Sequence, residues 1–158
     1  MKNKVVYPLC IISFVVLFDQ ITKFLARTRI HPMESIELLP VLNLVNVRNQ
    51  GAAFGMFSSL GNNFFIIISF AAVLFMFWVI ITAKEDYRVF SLLAAGAIGN
   101  LIDRVTLGYV VDFMDVTVAG HHWPAFNVAD SALSLGIVFL MFNLVINLNV
   151  AKDARQKR

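Results

Sequence analysis

Four long apolar runs dominate the pattern of hydrophobic and polar positions along the chain. A helix needs about 20 mostly apolar residues to cross the hydrocarbon core of a bilayer. Four segments meet that requirement and are predicted as helices, at about 5–26, 64–83, 89–107 and 127–150. Between the first two helices, residues of about 30–60 instead form short alternating runs, which are typical of strands. The pattern predicts an all-α integral membrane protein of four transmembrane helices, with a small extracytoplasmic β-rich patch and a single domain over 1–158.

The composition supports a membrane protein and excludes several other classes. Hydrophobic residues make up 59% of the chain and charged residues 15%, against about 45–50% and about 25% in soluble domains. A single cysteine, Cys10, excludes an internal disulfide and a site of several thiolates. The basic residues form no stripe with interleaved aromatics, so we expect no nucleic-acid partner. No metal-binding or nucleotide-binding motif is present, and we expect no cofactor.

The N-terminus has one feature of a secretory signal peptide, because Lys2 and Lys4 precede an apolar run. No small-x-small cleavage site follows that run, however, and it continues into polar residues. The segment is therefore predicted to be retained as the first transmembrane helix.

The distribution of lysine and arginine predicts that both termini lie in the cytoplasm. With that topology the cytoplasmic flanks carry eight basic residues: Lys2, Lys4, Lys84, Arg88, Lys152, Arg155, Lys157 and Arg158. The opposite side carries four: Arg27, Arg29, Arg48 and Arg104.

The same topology brings the polar residues of three helices to one depth, although the helices alternate in direction. They lie toward the extracytoplasmic face: Asp19, Lys23, Asn100, Asp103, Arg104, Asn127 and Asp130. Charged groups at membrane depth are costly and generally face the interior of the bundle. The convergence therefore indicates a polar site near one membrane surface.

Some of these residues also have a structural interpretation. Asp19 and Lys23 are four residues apart on one helical face, and a structural ion pair is the simplest account of them. Asn100, Asp103 and Arg104 follow one another within about one turn, so they can tie helix ends together by charge-assisted hydrogen bonds.

Other residues near the site are expected to have no chemical role. Gly96 and Gly99 are predicted to permit close helix packing. His121 and His122 are adjacent, face apart and are predicted to lie in a solvated loop rather than at a metal site. Asp115 lies near Asp112 but is not expected to take part in chemistry.

Asp112 and Asp130 differ from the other acids because no lysine or arginine lies between Thr106 and Asp130. If the helix ends pack together, two carboxylates meet without a cation that neutralises both. Such a pair shares one proton, as in an aspartic protease. From the residues alone, catalysis and a site for a proton or cation both remain open.

At these motifs the sequence resembles the lipoprotein signal peptidases, the bacterial signal peptidase II family. Five segments carry the resemblance in the family's order along nearly the whole chain: 19–23 (DQITK), 46–55 (NVRNQGAAFG), 99–104 (GNLIDR), 108–113 (GYVVDF) and 126–130 (FNVAD). The resemblance implies four transmembrane helices with an extracytoplasmic β-cradle. It also implies an aspartic endopeptidase that removes the signal peptide of diacylglyceryl-modified prolipoproteins just before the lipidated cysteine.

The resemblance also implies roles for individual residues. The catalytic dyad is Asp112 and Asp130. Residues that bind substrate or support the dyad are Asp19, Lys23, Asn49, Gly51, Asn100, Asp103, Arg104 and Asn127. The family implies inhibition by the cyclic peptide globomycin at the same site. We expect a monomer in the bacterial cytoplasmic membrane that contacts membrane lipid, with its active site toward the extracytoplasmic face.

Two other classes of protein remain as alternatives. A small transporter coupled to protons or cations would use Asp103, Asp112 and Asp130 as its ion path, but it predicts charges that reach both membrane faces. A purely structural assembly factor would not require two unpaired acids.

Overall fold

The computed structural model describes residues 3–51, 56–82 and 87–156. Its four long helices are α1 (Asn3–Arg29), α2 (Gly61–Thr82), α3 (Tyr87–Leu107) and α4 (Val128–Gln156). Each contains a stretch long and apolar enough to cross a membrane, which confirms the predicted helices. Their ends differ from the prediction by a few residues, and residue 83, the predicted end of the second helix, lies outside the described residues. So do residues 52–55 of the predicted β-rich segment.

Helix α3 lies at the centre of the bundle and packs against α1, α2 and α4. Small residues allow this close approach. A Cβ atom added at Gly99 would lie 2.7 Å from Asp19 Oδ2, and one added at Gly96 would collide with the backbone carbonyl of Ala129. The predicted role of the two glycines in helix packing is confirmed, because any larger residue would force α1 or α4 away from α3.

A four-stranded antiparallel sheet covers one end of the bundle, hereafter the sheet end. Its strands are β1 (Ser35–Leu39), β2 (Leu42–Asn49), β3 (Val110–Val118) and β4 (His121–His122), paired in that order. The β-rich segment between α1 and α2 is confirmed, but it supplies only β1 and β2. The other two strands come from the connection between α3 and α4, for which the sequence analysis predicted no strand.

Strand β3 was not predicted, because its residues do not alternate simply between apolar and polar. Its first four residues are all buried, since the strand is covered on both faces. A strand buried on both faces reads as a nearly continuous apolar run, not as the period-two pattern of a half-exposed strand. The expectation of a loop at His121 and His122 was wrong, because β4 pairs there with Thr117 and Val118. Both histidines are nevertheless exposed to solvent, as expected.

Apolar packing fixes the sheet onto the bundle. Ala26 and Ile30 at the end of α1 pack with Phe113 of β3, and Leu44 of β2 completes the cluster with neighbouring side chains. Strand β3 thereby leads from the end of α3 across the sheet end, and β4 and residues 123–127 complete the connection to α4.

Candidate active site

Local capping chemistry positions Asp130 at the start of α4. Asn127 precedes the helix, and its side-chain Oδ1 accepts a hydrogen bond from the backbone N–H of Asp130 (2.8 Å). In return, Asp130 Oδ2 accepts a hydrogen bond from the backbone N–H of Asn127 (3.3 Å). This reciprocal arrangement is a capping box, with asparagine and aspartate in the two positions. It orients the Asp130 carboxylate before any tertiary contact is made.

Strand β3 positions the second carboxylate, Asp112, which is 2% exposed. Asp112 Oδ1 accepts a hydrogen bond from Asn127 Nδ2 (2.7 Å). Asp112 Oδ2 accepts one from Asn49 Nδ2 (3.0 Å) at the end of β2. Asn127 therefore bonds both carboxylates, one with its side-chain amide and the other with its backbone N–H.

A third amide, Asn100 of α3, orients Asp130 from the opposite direction. Its Nδ2 donates to Asp130 Oδ1 (2.8 Å). Its Oδ1 accepts from Lys23 Nζ (2.9 Å) and from Asn127 Nδ2 (3.2 Å). Because two donors face the oxygen, the NH₂ group of Asn100 is directed at Asp130.

Behind these amides lies a buried ionic cluster that ties α1 to α3. Lys23 Nζ lies 2.8 Å from Asp19 Oδ2 and 3.2 Å from Asp103 Oδ2. The predicted ion pair between Asp19 and Lys23 is confirmed, with Asp103 as a second partner. Gln20, which the sequence analysis did not single out, donates to Asp19, Asp103 and the carbonyl of Gly99.

The ionic cluster also reaches the elements that carry the dyad. Asp19 Oδ1 accepts from the backbone N–H of Ala129 at the start of α4 (2.8 Å), and Asp103 Oδ2 accepts from that of Val111 in β3 (2.9 Å). The negative charge of Asp19 at this position is also stabilised by the positive end of the α4 helix dipole. These two bonds fix the backbone next to Asp130 and Asp112.

Arg104 connects α3 to the segment that follows β2. Its Nη2 donates to the carbonyl of Gly51 (2.7 Å), and its guanidinium lies 4.6 Å from the ring centre of Phe65 in α2. Gly51 in turn donates its backbone N–H to Asn49 Oδ1 (2.9 Å). Arg104 is 7% exposed, and its Nη1 has no acceptor among the described residues.

A groove of about 890 Å³ begins at the dyad and continues between α2 and α4, with α3 as its floor. Its polar wall contains the dyad together with three of the predicted support residues, Asn49, Asn100 and Arg104. The remaining wall is mostly apolar and comes from α2, α4 and the segment 123–126 before α4. The groove therefore joins two carboxylates to an apolar surface at membrane depth.

Neutral amides, and no cation, hold the two carboxylates. Within residues 3–51, 56–82 and 87–156, neither Asp112 nor Asp130 forms an ion pair with lysine or arginine. Burial, followed by repulsion from Asp130, raises the pKa of Asp112 from 3.8 to about 7, although the bonds from Asn49 and Asn127 oppose the shift. The same described ranges contain no group of three His, Cys, Asp or Glu side chains placed to hold a metal ion.

A second polar cluster lies on the other face of β3. Asp115 is three residues from Asp112, so its side chain projects from the opposite face of the strand. It is buried, and its Oδ2 lies 2.8 Å from His122 Nδ1 and 3.4 Å from Asn43 Nδ2. Thr117 Oγ1 lies 3.1 Å from the same histidine nitrogen. The cluster joins β2, β3 and β4, and no sequence motif revealed it because it depends on strand register.

We expect His122→Ala to lower both turnover and stability, because it releases β4 and leaves Asp115 without its nearest donor. The segment that follows β4 forms a wall of the groove and leads into Asn127. The loss of one such hydrogen bond lowers the free energy of unfolding by about 1 kcal/mol. Thermal unfolding and peptidase assays of the purified protein measure both effects.

Two variants serve as matched comparisons. His122→Asn retains a donor close to the position of Nδ1 and is expected to restore most of the loss. His121→Ala changes the exposed neighbour and is expected to match the wild type. Equal behaviour of the two alanine variants would show that the cluster does not support the site.

Together, the fold and the site define a class: a multi-pass membrane protein with two carboxylates, held by amides, at the head of a mostly apolar groove. Residues 11–146 match the family described as signal peptidase (SPase) II. The lipoprotein signal peptidase of Thermodesulfovibrio yellowstonii is 49% identical to this chain over 131 residues, which cover 83% of this chain and 89% of that protein. That of Staphylococcus aureus is 39% identical over 150 residues and 91% of each chain.

A solved structure described as a bacterial membrane enzyme has the same fold. It superposes with a TM-score of 0.84 at 37% identity, covering 91% of this chain and 90% of that chain. The chain belongs to the signal peptidase II family and is a membrane protease of lipoprotein processing. The resemblance found in the sequence is confirmed, and the comparisons give no support to the transporter or assembly-factor alternatives.

Proposed function

We propose that this protein is an aspartic endopeptidase that cleaves diacylglyceryl-modified prolipoproteins just before the lipidated cysteine. The observation that carries the proposal is the pair Asp112 and Asp130, joined through Asn127 and oriented by amides alone. Amide donors fix the direction of a carboxylate without cancelling its charge. The two groups are therefore left to share a proton, as the chemistry of peptide hydrolysis requires.

In the proposed mechanism the ionised carboxylate accepts a proton from water, which attacks the scissile carbonyl. The protonated carboxylate donates its hydrogen to the carbonyl oxygen as negative charge develops there. Asn49, Asn100 and Asn127 keep the oxygens of both groups directed at the substrate. Arg104, which donates to the carbonyl of Gly51, supports the segment that follows β2 beside the dyad.

The shape of the site suits a substrate anchored by lipid. The dyad lies at the sheet end, so a scissile bond near the level of the lipid headgroups reaches it directly. The apolar groove below then accommodates acyl chains or the apolar part of the signal peptide, which remain in the membrane. One chain supplies every group of the site, and we therefore propose that the enzyme acts as a monomer.

The experiment that tests this function is cleavage of a diacylglyceryl-modified prolipoprotein by the purified protein in detergent. We expect a shortened product that begins with the lipidated cysteine, identified by mass spectrometry, and inhibition by globomycin. The unmodified prolipoprotein serves as the control and should remain uncut. Cleavage elsewhere, or of both substrates equally, would contradict the proposed specificity.

The pH dependence of the reaction follows from the raised pKa of Asp112. As the pH rises through about 7, Asp112 loses the proton that the pair needs to protonate the carbonyl oxygen, so we expect kcat/KM to fall over this range. The folded chain also binds this proton more tightly than the unfolded chain does. Its contribution to stability is thus present below about pH 4 and is lost as the pH rises to about 7.

A pH–rate profile and thermal unfolding at several pH values measure the two effects. In Asp112→Asn the corresponding change of stability should disappear, since the asparagine does not titrate. A kcat/KM that stays constant from pH 6 to pH 9 would contradict the shared proton.

We further propose that the protein lies in the bacterial cytoplasmic membrane with both termini in the cytoplasm and the sheet end outside. The excess of lysine and arginine near the chain ends supports this orientation. A cysteine-reactive, membrane-impermeant probe should label a cysteine introduced at the exposed Glu37 of β1 in intact spheroplasts, and one at the exposed Lys152 only after lysis. The reverse labelling pattern would place the site on the cytoplasmic side.

A further inference from the structure

Two serine hydroxyls in the groove have no partner within the chain as described. In the helices most hydroxyls donate to a carbonyl about one turn earlier, as expected at membrane depth. Those of the described residues that do so are Thr22, Thr28, Thr82, Ser91, Thr106 and Ser131. Three helix serines make no such bond within residues 3–51, 56–82 and 87–156: Ser13, Ser69 and Ser134. Of these three, Ser69 of α2 and Ser134 of α4 line the groove, whereas Ser13 of α1 does not.

Ser69 and Ser134 each lie one helical turn away from a polar group of the active site. Ser134 follows Asp130 by four residues, so it lies on the same face of α4, about 6 Å further from the sheet end. Ser69 follows Phe65 by four residues, and Phe65 carries the guanidinium of Arg104 on its ring. Each hydroxyl is therefore one helical turn below a polar group of the active site, on the two walls of one groove.

The surroundings of these hydroxyls are apolar. Ile68, Ala72 and Met76 line the groove on α2, and Leu133 and Ile137 line it on α4. In such surroundings an unpaired hydroxyl is unfavourable, because neither lipid chains nor apolar side chains accept hydrogen bonds. The two serines are accordingly placed to donate to an acceptor that arrives with the substrate.

We propose that Ser69 and Ser134 donate hydrogen bonds to the ester carbonyl oxygens of the substrate's diacylglyceryl group. This inference rests on the proposed function. The glycerol that carries the esters is bonded to the sulfur of the lipidated cysteine, which directly follows the scissile carbonyl. With that carbonyl at the dyad, the esters reach the level one turn below it, and the acyl chains continue along the apolar lining.

Ester carbonyls fit this role better than peptide carbonyls do. The apolar part of a signal peptide crosses the membrane as a helix, which satisfies its own carbonyl groups. The two esters have no donor of their own. The substrate thus brings two unpaired acceptors to a groove that presents two unpaired donors, and Ser69 and Ser134 become positioning residues for the lipid.

The test compares two substrates that differ only in this linkage. One is the natural diester, and the other is a dialkyl ether analogue that lacks both carbonyls. With the diester, we expect Ser69→Ala and Ser134→Ala each to raise KM about three- to tenfold, the effect of one hydrogen bond, with kcat within about twofold of wild type. With the ether, wild type and both variants should share one raised KM.

Ser13→Ala is the matched control, since Ser13 is an exposed serine of α1 outside the groove, and it should behave as wild type. An equal KM increase on both substrates would show that the serines bind the peptide, which overturns the inference. Unchanged KM on the diester would overturn it as well. Failure of the wild type to cleave either substrate would instead overturn the proposed function on which it rests.

Discussion

Asp112→Asn and Asp130→Asn should each abolish peptide cleavage, with a loss of at least about 10³-fold in kcat. Asparagine retains the size of aspartate and remains polar, but it has one acceptor oxygen in place of two. It can therefore keep only one of the two hydrogen-bonded positions at which each aspartate now accepts. It cannot take a proton from water or share one with its neighbour. The variants therefore remove the proposed chemistry while the side chain at each position keeps its size.

The double variant should be hardly slower than either single variant, because two groups that act as one unit lose their function non-additively. Binding of globomycin should survive in weakened form, which separates loss of chemistry from loss of folding. Single-turnover rates and inhibitor binding, measured on purified proteins, give both results. Independent, multiplicative losses would contradict a shared proton.

The control must be an acid that lies away from both clusters. Asp115 seemed suitable from the sequence, but in the structure it is buried and paired with His122. Glu37 of β1 is exposed, so Glu37→Gln makes the same acid-to-amide change without touching the site. Full activity of either dyad variant would mean that the wrong carboxylates are assigned, and Asp103 would then be the next candidate.

Sequence patterns that depend on one element predicted the structure well. An apolar run predicted each of the four helices, because a membrane span requires continuous hydrophobicity. The ion pair of Asp19 with Lys23 followed from a spacing of four residues, which is a property of a single helix. The capping box of Asn127 and Asp130 is similarly local, although the sequence analysis did not predict it. Elements that carry their own signal were therefore predictable.

Features that depend on packing between elements were not predictable from one sequence. The pairing of Asp115 with His122 requires the register of β3 and β4. The position of Ser69 and Ser134 in the groove depends on how α2 and α4 rotate about their axes. Helix α2 gives no hint of its rotation, since its sequence from Phe64 to Thr82 contains no charged residue. Only the folded arrangement shows which residues face the groove.

The ionic cluster behind the dyad yields the largest expected effect on stability. Lys23→Met should lower the free energy of unfolding by about 3–5 kcal/mol, the range for removal of one partner from a buried ion pair. The variant would leave Asp19 and Asp103 side by side without their shared cation. It would also leave Asn100 Oδ1 with only the longer hydrogen bond from Asn127 among the described residues. The amide would then be held less firmly toward Asp130, and turnover should fall in the protein that still folds.

Two further variants separate charge from packing. Lys152→Met makes the same substitution at an exposed position and should leave the unfolding temperature unchanged. Asp19→Asn combined with Lys23→Met removes one of the two stranded charges and should recover part of the lost stability, measured by thermal unfolding in detergent. Since Asn100 would still lack its lysine, activity should recover less than stability does. A double variant no more stable than Lys23→Met would indicate that Lys23 acts through packing and not through charge.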